Sequence, residues 1–165
     1  MGITMGMDWE IDLGGKTAEQ IEKEAGKLPA GYYYAKFTED EDSDKDGSKT
    51  LHFVLSRGGF MNRKINVILK HPRMAEDAKK AQDAANRMAA IATRMGAISP
   101  GENGRAKTNF KTCAGREYIL KVVHREGKDG GMFSNIDYYG VYPVEGHDDI
   151  PNKEREALGL PLKGK

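Results

Sequence analysis

The chain has 165 residues, of which 38% are hydrophobic and 31% charged, a composition that supports one domain with an ordinary core and long solvated segments. Its one cysteine, Cys113, excludes an intramolecular disulfide and any cysteine-cluster zinc site. The net charge of +1 divides unevenly: residues 1–56 hold 6 Lys/Arg against 12 Asp/Glu, residues 57–125 hold 15 against 5, and residues 126–165 hold 5 against 8. A basic centre between acidic ends points to a polyanionic partner.

Residues 1–27 read as an N-terminal arm. "MDWEIDL" can form a short strand or a docked extended segment anchored by Trp9. "TAEQIEKEAGK" has Thr17 as N-cap and Gln20 in the capping-box position, the signature of a short helix. From residue 28 to 146 an OB-fold-like domain is expected, and the period becomes two. In "YYYAKFTE" (32–39), Tyr33, Ala35 and Phe37 share one face while Tyr32, Tyr34 and Lys36 share the other. "TLHFVLSR" (50–57) aligns Leu51, Phe53 and Leu55; after the turn "RGGF", "NRKINVILK" (62–70) aligns Ile65, Val67 and Leu69. A helix follows, opened by His71-Pro72 and closed by Gly96, with Met74, Ala78, Ala81, Ala85, Met88, Ile91, Ala92 and Met95 as its apolar stripe. Lys79, Lys80, Arg87 and Arg94 lie off that stripe. "SPGENGRAKTN" (99–109) reads as a loop, "REYILKVVHRE" (116–126) as a strand, and "MFSNIDYYGVYPV" (132–144) as a final strand broken by Gly140. Residues 147–165 read as a flexible tail with a short helical stretch around 152–158. The expected fold is therefore mainly β with one helix: a five-stranded OB-fold-like barrel with the helix between strands 3 and 4.

The segment "EDSDKDGSKT" (41–50) imitates the first half of a helix–loop–helix calcium site, with Asp42, Asp44 and Asp46 alternating before Gly47. Counted from Asp42, the twelfth residue is Phe53, which cannot supply the closing carboxylate, and strands flank the loop where helices are required. A solvated hairpin loop is the better reading. The four histidines show no ligand spacing, and no phosphate loop, nucleophile elbow or HExxH motif occurs. No catalytic residue, metal ligand or cofactor site is expected, and a non-enzyme is the reading.

Single-stranded nucleic acid is held by a positive groove that follows phosphates and by aromatic faces that stack on bases. Tyr32, Tyr34 and Lys36 on the first strand, Arg57 and Arg63 at the second turn, Lys64 on the third strand, Lys121 and Arg125 on the fourth and Tyr138 on the fifth supply both kinds of group. These nine are the candidate nucleic-acid-binding residues.

The segments "MDWEIDL", "LPAGYYYAKF", "LHFVLSRGGFMNRKINVIL", "IATRMGAI", "CAGREYILKV" and "NIDYYGVYPV" together resemble a family of phage and prophage proteins, formerly a domain of unknown function, encoded among replication and recombination genes. Its motifs correspond here to Leu28, Pro29, Gly31 and Tyr33, then Gly115 and Arg116, then Asn135. The resemblance covers about residues 7–144 and implies an OB-fold that binds and protects single-stranded DNA in phage-type replication or recombination, without catalytic residues. "HDDIPN" (147–152) is similar to the acidic tip by which bacterial single-stranded DNA-binding proteins recruit partners, but Asn152 replaces the aromatic anchor. The expected partners are single-stranded DNA and replication or recombination proteins, in the (host) cytoplasm, with no membrane and with homo-oligomerisation open. An OB-like protein-interaction adaptor and a calcium-binding structural module stand as alternatives.

Overall fold

Alternation of period two turns the middle of the chain into a sheet, and the apolar half of each strand becomes its inner face. The computed structural model describes residues 10, 12, 14–15, 17–19, 28–43, 47–72, 75–126 and 132–164. Its strands and helices are β1 (Gly31–Asp42), β2 (Lys49–Leu55), β3 (Lys64–Leu69), α1 (Ala78–Met95), β4 (Ile98–Pro100), β5 (Ala106–Thr108), β6 (Glu117–Glu126), β7 (Met132–Pro143) and α2 (Asn152–Leu158). A 3-10 turn, Phe110–Cys113, precedes β6. Five strands form one antiparallel sheet in the order β3-β2-β1-β6-β7, and β4 and β5 form a separate hairpin. The arm's expected strand and most of its expected helix lie outside the described residues.

β1 is the shared strand. Residues 35–42 pair with β2 and residues 31–36 with β6, and the register slips between Phe37 and Glu39. A second slip lies between Leu120 and Val122, opposite β7. Such irregularities bend a strand and increase its twist, which lets five strands curl. The inner faces match the periodicity of the sequence: Ala35 and Phe37, Leu51, Phe53 and Leu55, Val67 and Leu69 are buried. From α1 come Ile91, Ala92 and Met95. Phe53 packs against Phe37 at 5.4 Å and edge-on against Tyr118 at 6.4 Å. Burying each such side chain contributes roughly 1.5–3 kcal/mol. The Tyr118 hydroxyl (2.8 Å) and the buried Cys113 thiol (3.3 Å) donate to the Met95 carbonyl, occupying an acceptor that the helix end would otherwise leave unpaired.

Several expectations are corrected. α1 is capped by Asp77, whose carboxylate accepts from the Lys80 amide at 2.8 Å; a side-chain cap, not His71-Pro72, opens the helix. Residues 99–109 are not a plain loop, because β4 and β5 pair there. Asn103 and Gly104 take φ of 56° and 71°, the conformation that lets an Asn-Gly pair reverse a ribbon. Between α1 and the fourth strand of the sheet therefore stand a hairpin and a 3-10 turn, and a second helix follows the last strand. Nor is the sheet a closed barrel: β3 and β7 come into contact but share no ladder.

The largest correction concerns residues 147–164, which are docked rather than flexible. α2 occupies the stretch 152–158 that the sequence allowed. Ile150 is fully buried with Tyr34, Ile119 and Tyr142, and Tyr32, Leu158 and Leu160 pack around them. The segment is tied together by Arg155, only 8% exposed. Its guanidinium donates to the carbonyls of Ile150 (2.8 Å) and Pro161 (3.0 Å) and to that of His147. One cation thus reaches three carbonyls; that of His147 also accepts from the Ile150 amide at 3.0 Å, so Arg155 matters most for those of Ile150 and Pro161. Replacing Arg155 with Ala removes the donor to the Ile150 and Pro161 carbonyls, so urea unfolding of Arg155→Ala is expected to show a loss of about 2–3 kcal/mol; an unchanged midpoint would mean the segment is not docked.

Candidate nucleic-acid interface

Eight of the nine residues expected to contact nucleic acid fall into three separate places, and the ninth, Lys121, is the register partner of Tyr32 and is paired with Asp137 at 3.2 Å. Tyr32 and Tyr34 lie under the C-terminal segment. The Tyr34 hydroxyl donates to Leu158 O at 2.6 Å, and Tyr32 packs on Tyr142 at 6.2 Å. Burial, ahead of neighbouring charges, raises the Tyr32 pKa above its ordinary value. The Tyr34 ring is buried and Tyr32 is half-buried, because the apolar residues of the tail pack on their face. Arg57 is also committed: its guanidinium lies 3.8 Å over the Tyr34 ring and makes paired bonds to Glu117, Nε to Oε2 at 3.0 Å and Nη2 to Oε1 at 2.6 Å.

On the outer face of the sheet, Lys36 and Lys64 are exposed on either side of Val54, which is the register partner of both. Arg63 sits at the β2–β3 turn beside the exposed Phe60 and Met61. These cations lie on the surface without an aromatic platform between them.

The third place is the seam where β3 meets β7. Arg87 reaches across it from α1, donating Nε to Tyr138 O at 2.7 Å and Nη1 to Ile68 O at 2.8 Å, with its guanidinium 4.5 Å over the Tyr138 ring. Arg94, seven residues and two helical turns later, donates to Tyr139 O, pairs with Asp149 at 3.3 Å and lies over Tyr142 at 4.9 Å. Open space flanks Arg87 on both sides. A cleft of about 480 Å³ is lined by Ile68, Lys70, Lys80, Asp83, Arg87 and Tyr138. Another of about 320 Å³ is lined by Asn66, Ile68, Arg87, Arg125, Asn135 and Tyr138. Ile68 (57% exposed) and Tyr138 face solvent in these clefts; Phe133 (43%) is exposed opposite Arg125 in the β6–β7 ladder, and the exposed Tyr139 lies edge-on to Tyr138 at 4.9 Å.

The charge at the seam is positive and incompletely balanced. Burial first, with the charge of Arg125 adding to it, depresses the Arg87 pKa; a guanidinium nevertheless stays charged at neutral pH. Its hydrogen-bond acceptors are neutral carbonyls, so no carboxylate cancels it. Arg125 approaches Asp137 only at 3.9 Å, while Lys121 takes the same carboxylate at 3.2 Å. Of the nine expected residues, the seam brings together Arg125 and Tyr138. It adds Arg87, Phe133 and Tyr139. The spacing of Arg87 and Arg94, one heptad apart and off the apolar stripe, was the available signal for a second working face on α1.

Only part of the calcium-like loop is described. Asp42 is held by Lys49 at 2.8 Å, and Lys49 also pairs with Asp40 at 2.7 Å; Asp44 and Asp46 lie outside the described residues. Among the described residues no three His, Cys, Asp or Glu side chains are grouped to hold a metal ion, and no helix is long and apolar enough to cross a membrane.

Two outcomes check this geometry. Arg87→Met removes the donor to Ile68 O and Tyr138 O, and is expected to cost about 2 kcal/mol in denaturant unfolding and to speed amide exchange along β3 and β7. Glu117 is pushed up by burial, but hydrogen bonds from Arg57 and Ser56 outweigh this and hold its carboxyl below the ordinary value of 4.5. A carboxylate with a lowered folded-state pKa stabilises above its unfolded-state value and loses that contribution as pH falls through the folded-state value. The stability gap between the natural chain and Glu117→Gln, followed by thermal melts across pH, is therefore expected to be full at neutral pH and to close in acid below pH 4.5.

Compared with known proteins, the chain matches no family model and no curated relative.

Proposed function

We propose that the chain is a non-catalytic binder of single-stranded DNA, acting in phage-type replication or recombination, and that the strand lies along the β3–β7 seam. The observation that carries this reading is the juxtaposition at one open cleft of the exposed Tyr138 ring with the guanidinium groups of Arg87 and Arg125, with the exposed Phe133 opposite Arg125 in the β6–β7 ladder and Tyr139 edge-on to Tyr138. Bases stack on the rings, and phosphates lie against the cations; both contacts tolerate any sequence. The fold is read as an OB-type barrel left open at its closing pair. Support comes from the strand order, in which the third and fifth strands of the sheet are the two that meet without a ladder, and from the helix that follows the third strand and packs across that opening. Opening the pair widens the groove in which an OB domain binds its ligand. The exposed Phe60 and Met61 beside Arg63 favour, as a second reading, a protein-docking tip that would hold a recombination partner while the seam holds DNA.

The test is fluorescence anisotropy with labelled single strands of roughly 20 nucleotides, longer than the roughly 4–16 that one OB domain covers. Tyr138→Ala is expected to weaken binding about tenfold, the loss of one stacked base. Arg57→Gln and Tyr34→Phe are expected to leave affinity unchanged, since both side chains are already engaged. Micromolar protein with no salt-sensitive binding would overturn the proposal.

A further inference from the structure

The β4–β5 hairpin contributes little to the core beyond its base, yet it concentrates cations that have no carboxylate partner among the described residues. Residues 102–109 are all exposed. Arg105 and Lys107 are two residues apart, so they project from the same side of the ribbon, and Lys111 follows in the 3-10 turn. Glu102 at the turn is the one carboxylate in the hairpin, and Lys111 feels the charge of Asp42 without contact. Elsewhere in the basic centre the cations without a carboxylate partner among the described residues, such as Arg63, Lys64 and Arg87, are scattered over separate elements, and several more are paired. Arg57 pairs with Glu117, Lys80 with Glu76, Arg94 with Asp149, and Lys121 and Arg125 with Asp137.

The hairpin is also built rather than loose. The Gly101 amide donates to Arg105 O at 2.7 Å, and a Cβ on Gly101 would stand 2.8 Å from that same oxygen, so only glycine permits the ribbon to close there. At its base the Asn109 amide donates to Ala97 O at 2.7 Å, Ile98 packs on the core, and Phe110 and Cys113 are buried immediately beyond. A preformed ribbon loses little freedom when it binds. It leaves α1 at Gly96, nine residues past Arg87, or roughly 14 Å along the helix axis, a distance that a few nucleotides of extended strand span.

We propose that β4–β5 is a backbone arm: Arg105 and Lys107, with Lys111 beside them, bind the phosphodiester chain of the same single strand whose bases stack in the seam. The inference rests on the DNA-binding reading above and adds a division of labour. Seam aromatics hold bases, and the arm neutralises phosphates. Cations without a carboxylate suit that work, because each displaces counterions from the strand without first giving up an internal pair, and each phosphate so neutralised adds about 0.7 to the slope of log K against log salt.

The experiment measures that slope for the full chain by anisotropy between low and physiological salt. For R105Q/K107Q the slope is expected to fall by about 1.4 with melting temperature unchanged. For Y138A the affinity is expected to fall while the slope stays at its wild-type value. K79Q/K153Q, which neutralises two exposed cations on the helices, is expected to keep both. If the natural chain binds and R105Q/K107Q keeps its slope, the arm is overturned and the seam stands. An equal fall in K79Q/K153Q would also overturn the arm, since general charge would then account for the effect. If the natural chain does not bind at all, the seam reading fails and the arm with it.

Discussion

The Arg87 guanidinium, held between the carbonyls of Ile68 and Tyr138, is the contact on which the architecture turns. A curled sheet whose two edges meet without pairing leaves rows of peptide groups that must find partners or water. A ladder would satisfy them but would seal the seam. One planar cation satisfies an acceptor on each edge from a third element, so the edges are held at a fixed separation with space on either side. That choice also fixes α1. Its apolar residues Ile91, Ala92 and Met95 point into the core, while Arg87 and Arg94 keep its flank against β7.

The same device recurs. Arg155 gathers three carbonyls of the C-terminal segment, and Arg57 clamps Glu117 while covering Tyr34. Arginine suits these positions because five donors in a rigid fork can serve several acceptors, and the flat face stacks on rings. A count of positive residues therefore overstates the charge offered to a ligand. Much of the excess between residues 57 and 125 is spent inside the molecule, and what is left is spread between the outer face, the seam and the hairpin.

Strand faces were legible in the sequence because burial on one side of a sheet imposes strict alternation, and Leu51, Phe53 and Leu55 or Val67 and Leu69 leave no ambiguity. The C-terminal glycine cap of α1 was legible too, since Gly96 at a φ of 75° has few substitutes. Three things were not read. The Asn-Gly pair at 103–104 was a hairpin signal hidden among loop-forming neighbours. The tail carries only a few apolar residues, and Ile150, Leu158 and Leu160 reveal a docking face only once the aromatic surface of β1 and β7 exists for them to cover. The seam depends on contacts between residues far apart in sequence, such as Arg87 with Ile68 and Tyr138, and no local pattern encodes them. Hence Tyr32 and Tyr34, well placed by period, sit beneath protein, while Phe133 and Tyr139 remain open.

The division of β1 between two ladders has a consequence for how the chain is made. Its partner β2 follows directly after it, but Gly31 must wait for Val122 and Lys36 for Glu117. During synthesis the aromatic stretch Tyr32–Tyr34 therefore stands as an uncovered strand edge while the meander, α1 and the hairpin emerge. Closing so long a loop is entropically costly and slows assembly relative to a meander of equal size. The acidic residues that crowd the far end of this strand, Glu39 to Asp42, place like charges beside that edge and so discourage two nascent chains from pairing through it.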